Sequence, residues 1–188
     1  MGEDSRGQDY NLVWMDMEMS GLNPDTDVVL EIATVITDKN LNVLEHGPSL
    51  VINHPPAVLD AMDAWCKEHH GKSGLSQQVL ESTISLEQAQ ALTFDFIKKY
   101  VPRKRLSPLC GNSIWQDRRF LAKYFREIDE YLHYRIVDVS SIKEMVNLWY
   151  AKDKIQYKEK ESTHRALDDI LESIDELKYY RDNFLVSP

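Results

Sequence analysis

The first strong pattern in the chain is the alternation in Leu12-Val13-Trp14-Met15-Asp16-Met17-Glu18-Met19. Branched and aromatic residues without breakers make this stretch a strand. Side chains of a strand point to opposite faces in turn, so Leu12, Trp14, Asp16 and Glu18 share one face and Val13, Met15, Met17 and Met19 the other. Ser20-Gly21-Leu22-Asn23-Pro24-Asp25 then turns the chain, because Gly and Asn-Pro break regular structure. Val28 to Thr37, rich in Val and Ile, is a second strand, and Asp38-Lys39-Asn40 turns again. Val43 to Ile52 is a third strand, interrupted near Gly47-Pro48. Three strands joined by short polar turns predict an antiparallel meander.

Past His54-Pro55-Pro56 the period changes. Leu59 to His70 is predicted helical, with Met62, Trp65 and Cys66 on an apolar side, and Gly71-Lys72-Ser73-Gly74 stops it. Ser85 and Gln88 have the spacing of a capping box ahead of a stripe of Leu86, Ala89, Leu92, Phe96 and Ile97 that ends near Tyr100. A short strand at Pro108 to Asn112 leads into a helix over Ile114 to Phe125. Ile136 to Val139 is another short strand, and Ser141 with Glu144 is the expected cap of a helix carrying Ile142, Met145, Val146 and Trp149. Tyr150 to Glu161 is charged and aperiodic, a predicted loop. A last helix follows Ser162-Thr163 and lines up Leu167, Ile170, Leu171, Ile174 and Leu177. A meander followed by strands alternating with helices gives an α/β fold, a mixed five-stranded sheet flanked by helices.

Composition narrows the function. A chain of 188 residues fits a single domain, expected over residues 11–188 behind a flexible polar tail over 1–10. The tail lacks the apolar core of a signal peptide, and no run of about 18 apolar residues exists to cross a membrane. Cys66 and Cys110 show no metal-ligand spacing, which fits a reducing, cytoplasmic setting. The net charge of −9 argues against coating a long nucleic acid, whether duplex or single strand, because such binding needs many Lys and Arg. A short phosphate-bearing substrate remains open, provided that metal ions supply the local positive charge.

The candidate chemistry lies at element ends. Asp16 and Glu18 sit on one strand face, their residues about 7 Å apart along the backbone. A divalent cation such as Mg²⁺ or Mn²⁺ would relieve their repulsion, since hard cations prefer carboxylate oxygens. A strand running out into solvent would carry the same pair. Asp117 in Gly111-Asn112-Ser113-Ile114-Trp115-Gln116-Asp117 falls early in a helix, as do Asp168 and Asp169 after His164. Each acid alone could simply complement a helix dipole. Trp65 alone could be core, and His69 and His70 solvated. Taken together, four carboxylates and a His are the inventory of a two-metal phosphodiesterase with a separate general base.

These residues carry a resemblance. Asp16-x-Glu18, Asp117, and His164 four residues ahead of Asp169 by intervening count resemble the three motifs of the His-containing branch of the DEDD 3′-to-5′ exonuclease superfamily. From Leu12 to Leu185 the chain resembles the oligoribonuclease family in particular. Its opening motif, Trp14 to Leu22, matches, as do Gly111-Asn112-Ser113, His133-Tyr134-Arg135-Ile136-Val137-Asp138-Val139-Ser140 and His164-Arg165-Ala166-Leu167-Asp168-Asp169-Ile170. The resemblance implies a ribonuclease H-like fold, a homodimer, and 3′-to-5′ hydrolysis of very short RNA, above all 5′-phosphorylated dinucleotides. It implies two divalent cations, Mg²⁺ or Mn²⁺, on Asp16, Glu18, Asp117 and Asp169, with His164 as general base. Leu22 would wedge against a base, Trp65 would stack on one, and His70 would lie near the 3′ end. Ser113, Arg135 and Ser140 would hold the 5′ phosphate, with Tyr134 arriving from the other subunit.

Helical geometry alone leaves one choice open. At about 100° per residue, His164 would neighbour Asp168 on a helix, with Asp169 about 140° away. The family spacing selects Asp169, and the two readings agree if His164 precedes the helix proper.

Overall fold

The computed structural model describes residues 10–152, Tyr157 and residues 165–185. His164, most of the charged stretch from Tyr150 to Glu161, and the expected tail up to residue 9 lie outside the described residues.

Five strands form one sheet: β1 (Leu12–Met19), β2 (Val29–Thr37), β3 (Val43–Val51), β4 (Leu109–Gly111) and β5 (Ile136–Asp138), in the order β3-β2-β1-β4-β5. β1, β2 and β3 form the antiparallel meander, whereas β4 runs parallel to β1 and β5 parallel to β4. The mixed five-stranded sheet expected from the pattern is therefore present. Eight helices flank it among the described residues: α1 (Pro56–Ala61), α2 (Ala64–Lys72), α3 (Leu75–Glu81), α4 (Leu86–Tyr100), α5 (Ile114–Tyr124), α6 (Arg126–Tyr131), α7 (Val139–Trp149) and α8 (Ala166–Phe184).

The alternation in β1 divides the core in two. Val13, Met15 and Met17 pack with Ile97 of α4, Phe120 and Leu121 of α5, and Ile128 of α6. Trp14 packs on the other face with Val146 of α7 and Ala166, Ile170 and Ile174 of α8. With both faces covered, every residue of β2 is buried. Trp14 satisfies its indole N–H by donating to Thr37 Oγ1 at 3.0 Å. Asp16 and Glu18 thus point to the side on which α8 lies.

Several boundaries differ from the sequence pattern, each for a local reason. The break at Gly47-Pro48 is a bulge inside one strand, since Ala33 pairs with Ser49 but Val35 with His46. Only Gly fits there, because a Cβ would stand 2.8 Å from Thr34 O. The predicted helix over Leu59 to His70 is two helices, because the Asp63 carboxylate accepts from Cys66 N at 2.7 Å and starts α2 anew. α3 and α6 are short helices that the pattern did not disclose. α7 is capped by Asp138, which accepts from Ser140 N at 3.0 Å, and not by Ser141. The β4–β5 ladder carries the chain as far as Asp138, so its carboxylate meets the first free amide of the helix. The capping box of Ser85 and Gln88 forms as predicted.

Candidate active site

The parallel pairing of β1 with β4 covers only Val13 with Leu109 and Trp14 with Cys110. β1 continues to Met19, leaving an open edge at the C-terminal end of the parallel strands. Open α/β sheets offer their binding crevice at such ends, where the connections change direction. Gly111 lets the chain leave β4 there, since a Cβ would come 2.9 Å from Met15 O. Ser113, at φ 49°, turns the backbone into α5. Asp117 in the first turn of α5 then accepts from Met17 N at 2.9 Å. A side chain thus takes the place of the strand partner that β1 lacks.

On the other side, α8 starts at Ala166 with Arg165 as its N-cap residue, and brings Asp169 to Asp16 and Glu18. Asp16, Glu18 and Asp169 each offer an oxygen within 4.8 Å of the others. Neither Asp168 nor Asp117 belongs to that group of three. Burial pushes the Glu18 carboxyl up to about 8, and Asp169, Glu31 and Asp117 push the same way against Arg165. Burial likewise raises Asp117 to about 8, although the Met17 N–H favours its anion. Crowded, desolvated carboxylates of this kind fit a hard divalent cation, which supplies the charge that the fold withholds.

Arg165 is anchored by a bidentate pair to Glu31, from Nε at 3.0 Å and Nη2 at 2.9 Å. Glu31 is buried and stands opposite Glu18 in the β1–β2 register. Like charges directly opposite on a sheet repel, so the guanidinium serves both. A β-bulge follows Glu18 in β1.

Beside the carboxylates lies a cavity of about 400 Å³, lined by Glu18, Leu22, Trp65, Cys66 and His70 among others. His70 is buried and bonds through Nε2 to Met19 O at 2.9 Å, with Nδ1 3.9 Å from Glu18. Leu22 is 72% exposed and Trp65 55%, large apolar surfaces held out to solvent. His69 stacks on the Trp65 ring at 3.9 Å. Leu22 is held from both sides. Within its loop, Asn23 N donates to the Asp27 carboxylate at 2.9 Å, and Gly21 passes so close that a Cβ would stand 2.5 Å from it. From α5, Gln116 Nε2 donates to Leu22 O at 2.6 Å and Arg119 Nη1 at 3.3 Å.

A third group gathers where β4 and β5 end. Ser113 N donates to Ser140 Oγ at 2.9 Å and to the Asp138 carboxylate at 3.0 Å, and the two serine hydroxyls are 3.1 Å apart. Tyr134 projects into solvent with the Arg135 guanidinium 5.4 Å from its ring centre. Arg135 N donates to His133 Nδ1 at 3.1 Å. Trp115 is exposed on α5.

The roles of Glu31, Arg165, Gln116 and Arg119 are not legible from motif spacing. One signal was available, because Glu31 is the only charged residue in a strand of apolar and Thr residues. Gln116 and Arg119 gave none, as their role depends on a loop returning from a distant part of the chain.

Comparison with known proteins adds to this geometry. A family model described as an exonuclease matches residues 13–177. An oligoribonuclease of Pseudomonas paraeruginosa is 51% identical over 175 residues, covering 93% of this chain and 96% of that protein. Those of Hydrogenovibrio crunogenus, 52% identical over 176 residues with 94% and 95% covered, and Legionella pneumophila, 51% over 178 with 95% and 94%, are similar. Among solved structures, exonuclease I of Methylocaldum szegediense superposes with a TM-score of 0.67 at 16% identity, over 93% of this chain and 41% of that one. The zinc-bound E. coli exonuclease I–ssDNA complex gives 0.71 at 13%, over 94% and 41%. This chain thus spans well under half of those exonuclease I chains, and at such identity they speak to the fold alone, which is the ribonuclease H-like one.

Proposed function

Because this chain belongs to the oligoribonucleases within the exonuclease family, we propose that it is a metal-dependent 3′-to-5′ exoribonuclease of short RNA. Its chief substrates are 5′-phosphorylated dinucleotides, which it cuts to 5′-mononucleotides as a single domain over residues 11–188. The observation that carries this reading is the convergence of Asp16, Glu18 and Asp169 beside an open cavity.

Asp16, Glu18, Asp117 and Asp169 would hold two divalent cations, Mg²⁺ or Mn²⁺. When bound, such ions activate a water and stabilise the leaving oxygen in an in-line displacement. His164 takes the proton of the attacking water, a task suited to a neutral imidazole. Leu22 wedges against one base, and Trp65 stacks on another, at roughly 1–3 kcal/mol per stack. His70 approaches the 3′ end. Ser113, Arg135 and Ser140 close round the 5′ phosphate, where the Arg fork suits phosphate oxygens. The enzyme acts as a homodimer in which Tyr134 of the partner subunit completes the site. A capped 5′ end leaves no exit for a longer strand, in keeping with the acidic net charge. Two free, buried thiols suit a cytoplasmic setting, and no helix among the described residues is long and apolar enough to cross a membrane.

The test is a Mn²⁺ titration with a labelled 5′-phosphorylated dinucleotide and a labelled twenty-mer. Cation-dependent release of mononucleotides, far faster from the dinucleotide, is expected. Equal rates on the twenty-mer would indicate a broader exonuclease, and binding without turnover a nucleotide-binding module.

A further inference from the structure

Glu176 of α8 is fully buried and takes no part in the chemistry described above. Donors from α7, from α8 and from the end of β4 face it. Tyr180 OH donates to Oε1 at 2.8 Å, Lys143 Nζ lies 3.4 Å from the same oxygen, and Asn112 Nδ2 donates to Oε2 at 3.0 Å. Burial first, then Glu176 itself, pushes the Tyr180 phenol well above its ordinary range, so it stays a donor. Facing these donors, both carboxylate oxygens of Glu176 act as acceptors. Their presence therefore decides which way the Asn112 amide points: the NH₂ group faces Glu176, and the carbonyl oxygen faces the other way.

Asn112 Nδ2 also donates to Ser173 Oγ at 2.8 Å, and that hydroxyl can accept because its own proton goes to Asp169 O at 2.7 Å. Asn112 Oδ1, turned outward, accepts from Ser140 Oγ at 3.1 Å. With its proton committed to Asn112, Ser140 Oγ accepts from Ser113 N at 2.9 Å and leaves a lone pair toward the Ser113 hydroxyl 3.1 Å away. The Ser113 proton is the one left to swing from Ser140 to a phosphate oxygen.

We propose that Glu176 is a positioning residue for 5′-phosphate recognition: it orients Asn112, and through it the hydroxyl groups of Ser140 and Ser113. The proposal rests on the reading of those two serines as phosphate ligands. It makes a carboxylate in the core, remote from substrate, a determinant of which dinucleotides are preferred.

The experiment compares kcat and KM for a 5′-phosphorylated dinucleotide and its 5′-hydroxyl counterpart. Glu176→Gln keeps the shape but gives the site a donor. The amide oxygen is retained by Tyr180 and Lys143, its NH₂ confronts Asn112, and Asn112 must turn over. KM for the phosphorylated substrate should rise about tenfold, the scale of one charge-assisted hydrogen bond, while the 5′-hydroxyl substrate is unaffected. The ratio of the two kcat/KM values is independent of the fraction of folded enzyme, so partial misfolding does not obscure it. An equal loss on both substrates or an unchanged ratio would overturn the proposal. Ser113→Ala separates the two levels. If it leaves the phosphate preference intact, the reading of the serines fails. If it erases the preference and Glu176→Gln does not, only the role of Glu176 fails.

Discussion

Glu18 shows at the scale of one residue how the site trades stability for affinity. Its carboxyl is raised from 4.5 to about 8, chiefly by burial. The folded protein therefore holds this proton more tightly than the unfolded chain does. Without cations, the stability that Glu18 permits is intact below pH 4.5 and is lost as pH climbs toward about 8. Thermal denaturation of the cation-free protein should find Glu18→Gln melting several degrees above the parent at pH 8 and level with it at low pH. Added Mn²⁺ should raise the melting point of the parent much more than that of the variant; equal responses would remove Glu18 from the ligand set. Cation binding must displace the same proton, so apparent cation affinity should increase with pH. At saturating cation that dependence is suppressed, and if His164 is the base, kcat/KM should still rise with pH across neutrality. A profile flat across neutral pH would argue against His164 as the base. The motif residues were legible one by one in the sequence. The elevated Glu18 was not, since it arises first from burial under packed elements and then from Asp169, Glu31 and Asp117, which come from three other elements.

At the scale of elements, the pair of Glu31 in β2 and Arg165 at the start of α8 fastens the last helix to the sheet beside the carboxylates. Arg165→Met would strand the buried Glu31 charge, and urea denaturation should show a loss of about 3–5 kcal/mol. Adding Glu31→Met should return much of it, because the uncompensated charge disappears. A loss below 1 kcal/mol, roughly that of an exposed pair, would mean that the ion pair is structurally idle. Elements with a period or a complete local signature were legible, as with β1, or with α4 and its capping box. The split at Asp63 and the cap at Asp138 were not, because Asp is equally at home in turns, strand ends and caps. Each becomes a cap only where the chain direction presents free amides to it.

Across the whole molecule, the prediction concerns assembly. If Tyr134 serves the partner's site, mixing Tyr134→Ala with the inactive Asp16→Ala protein should recover activity. The heterodimer pairs an intact carboxylate set on one subunit with an intact Tyr134 on the other. Recovery above the sum of the two separate proteins, after subunit exchange, is the expected reading of a dinucleotide assay; no recovery would confine Tyr134 to its own subunit. The sequence by itself determined the sheet class and the two faces of β1, and it singled out the candidate carboxylates, because strand alternation and motif spacing are local and survive any packing. The tertiary structure decided what the helical period left open, namely which acid of α8 meets the others, and at what cost. Asp169 rather than Asp168 joins Asp16 and Glu18 because Arg165 docks on Glu31 and fixes where α8 begins and which way it faces. Asp117 instead reaches the unpaired Met17 amide because β4 ends before β1 does. Both outcomes depend on contacts between residues about a hundred or more positions apart, where no local pattern can carry the information.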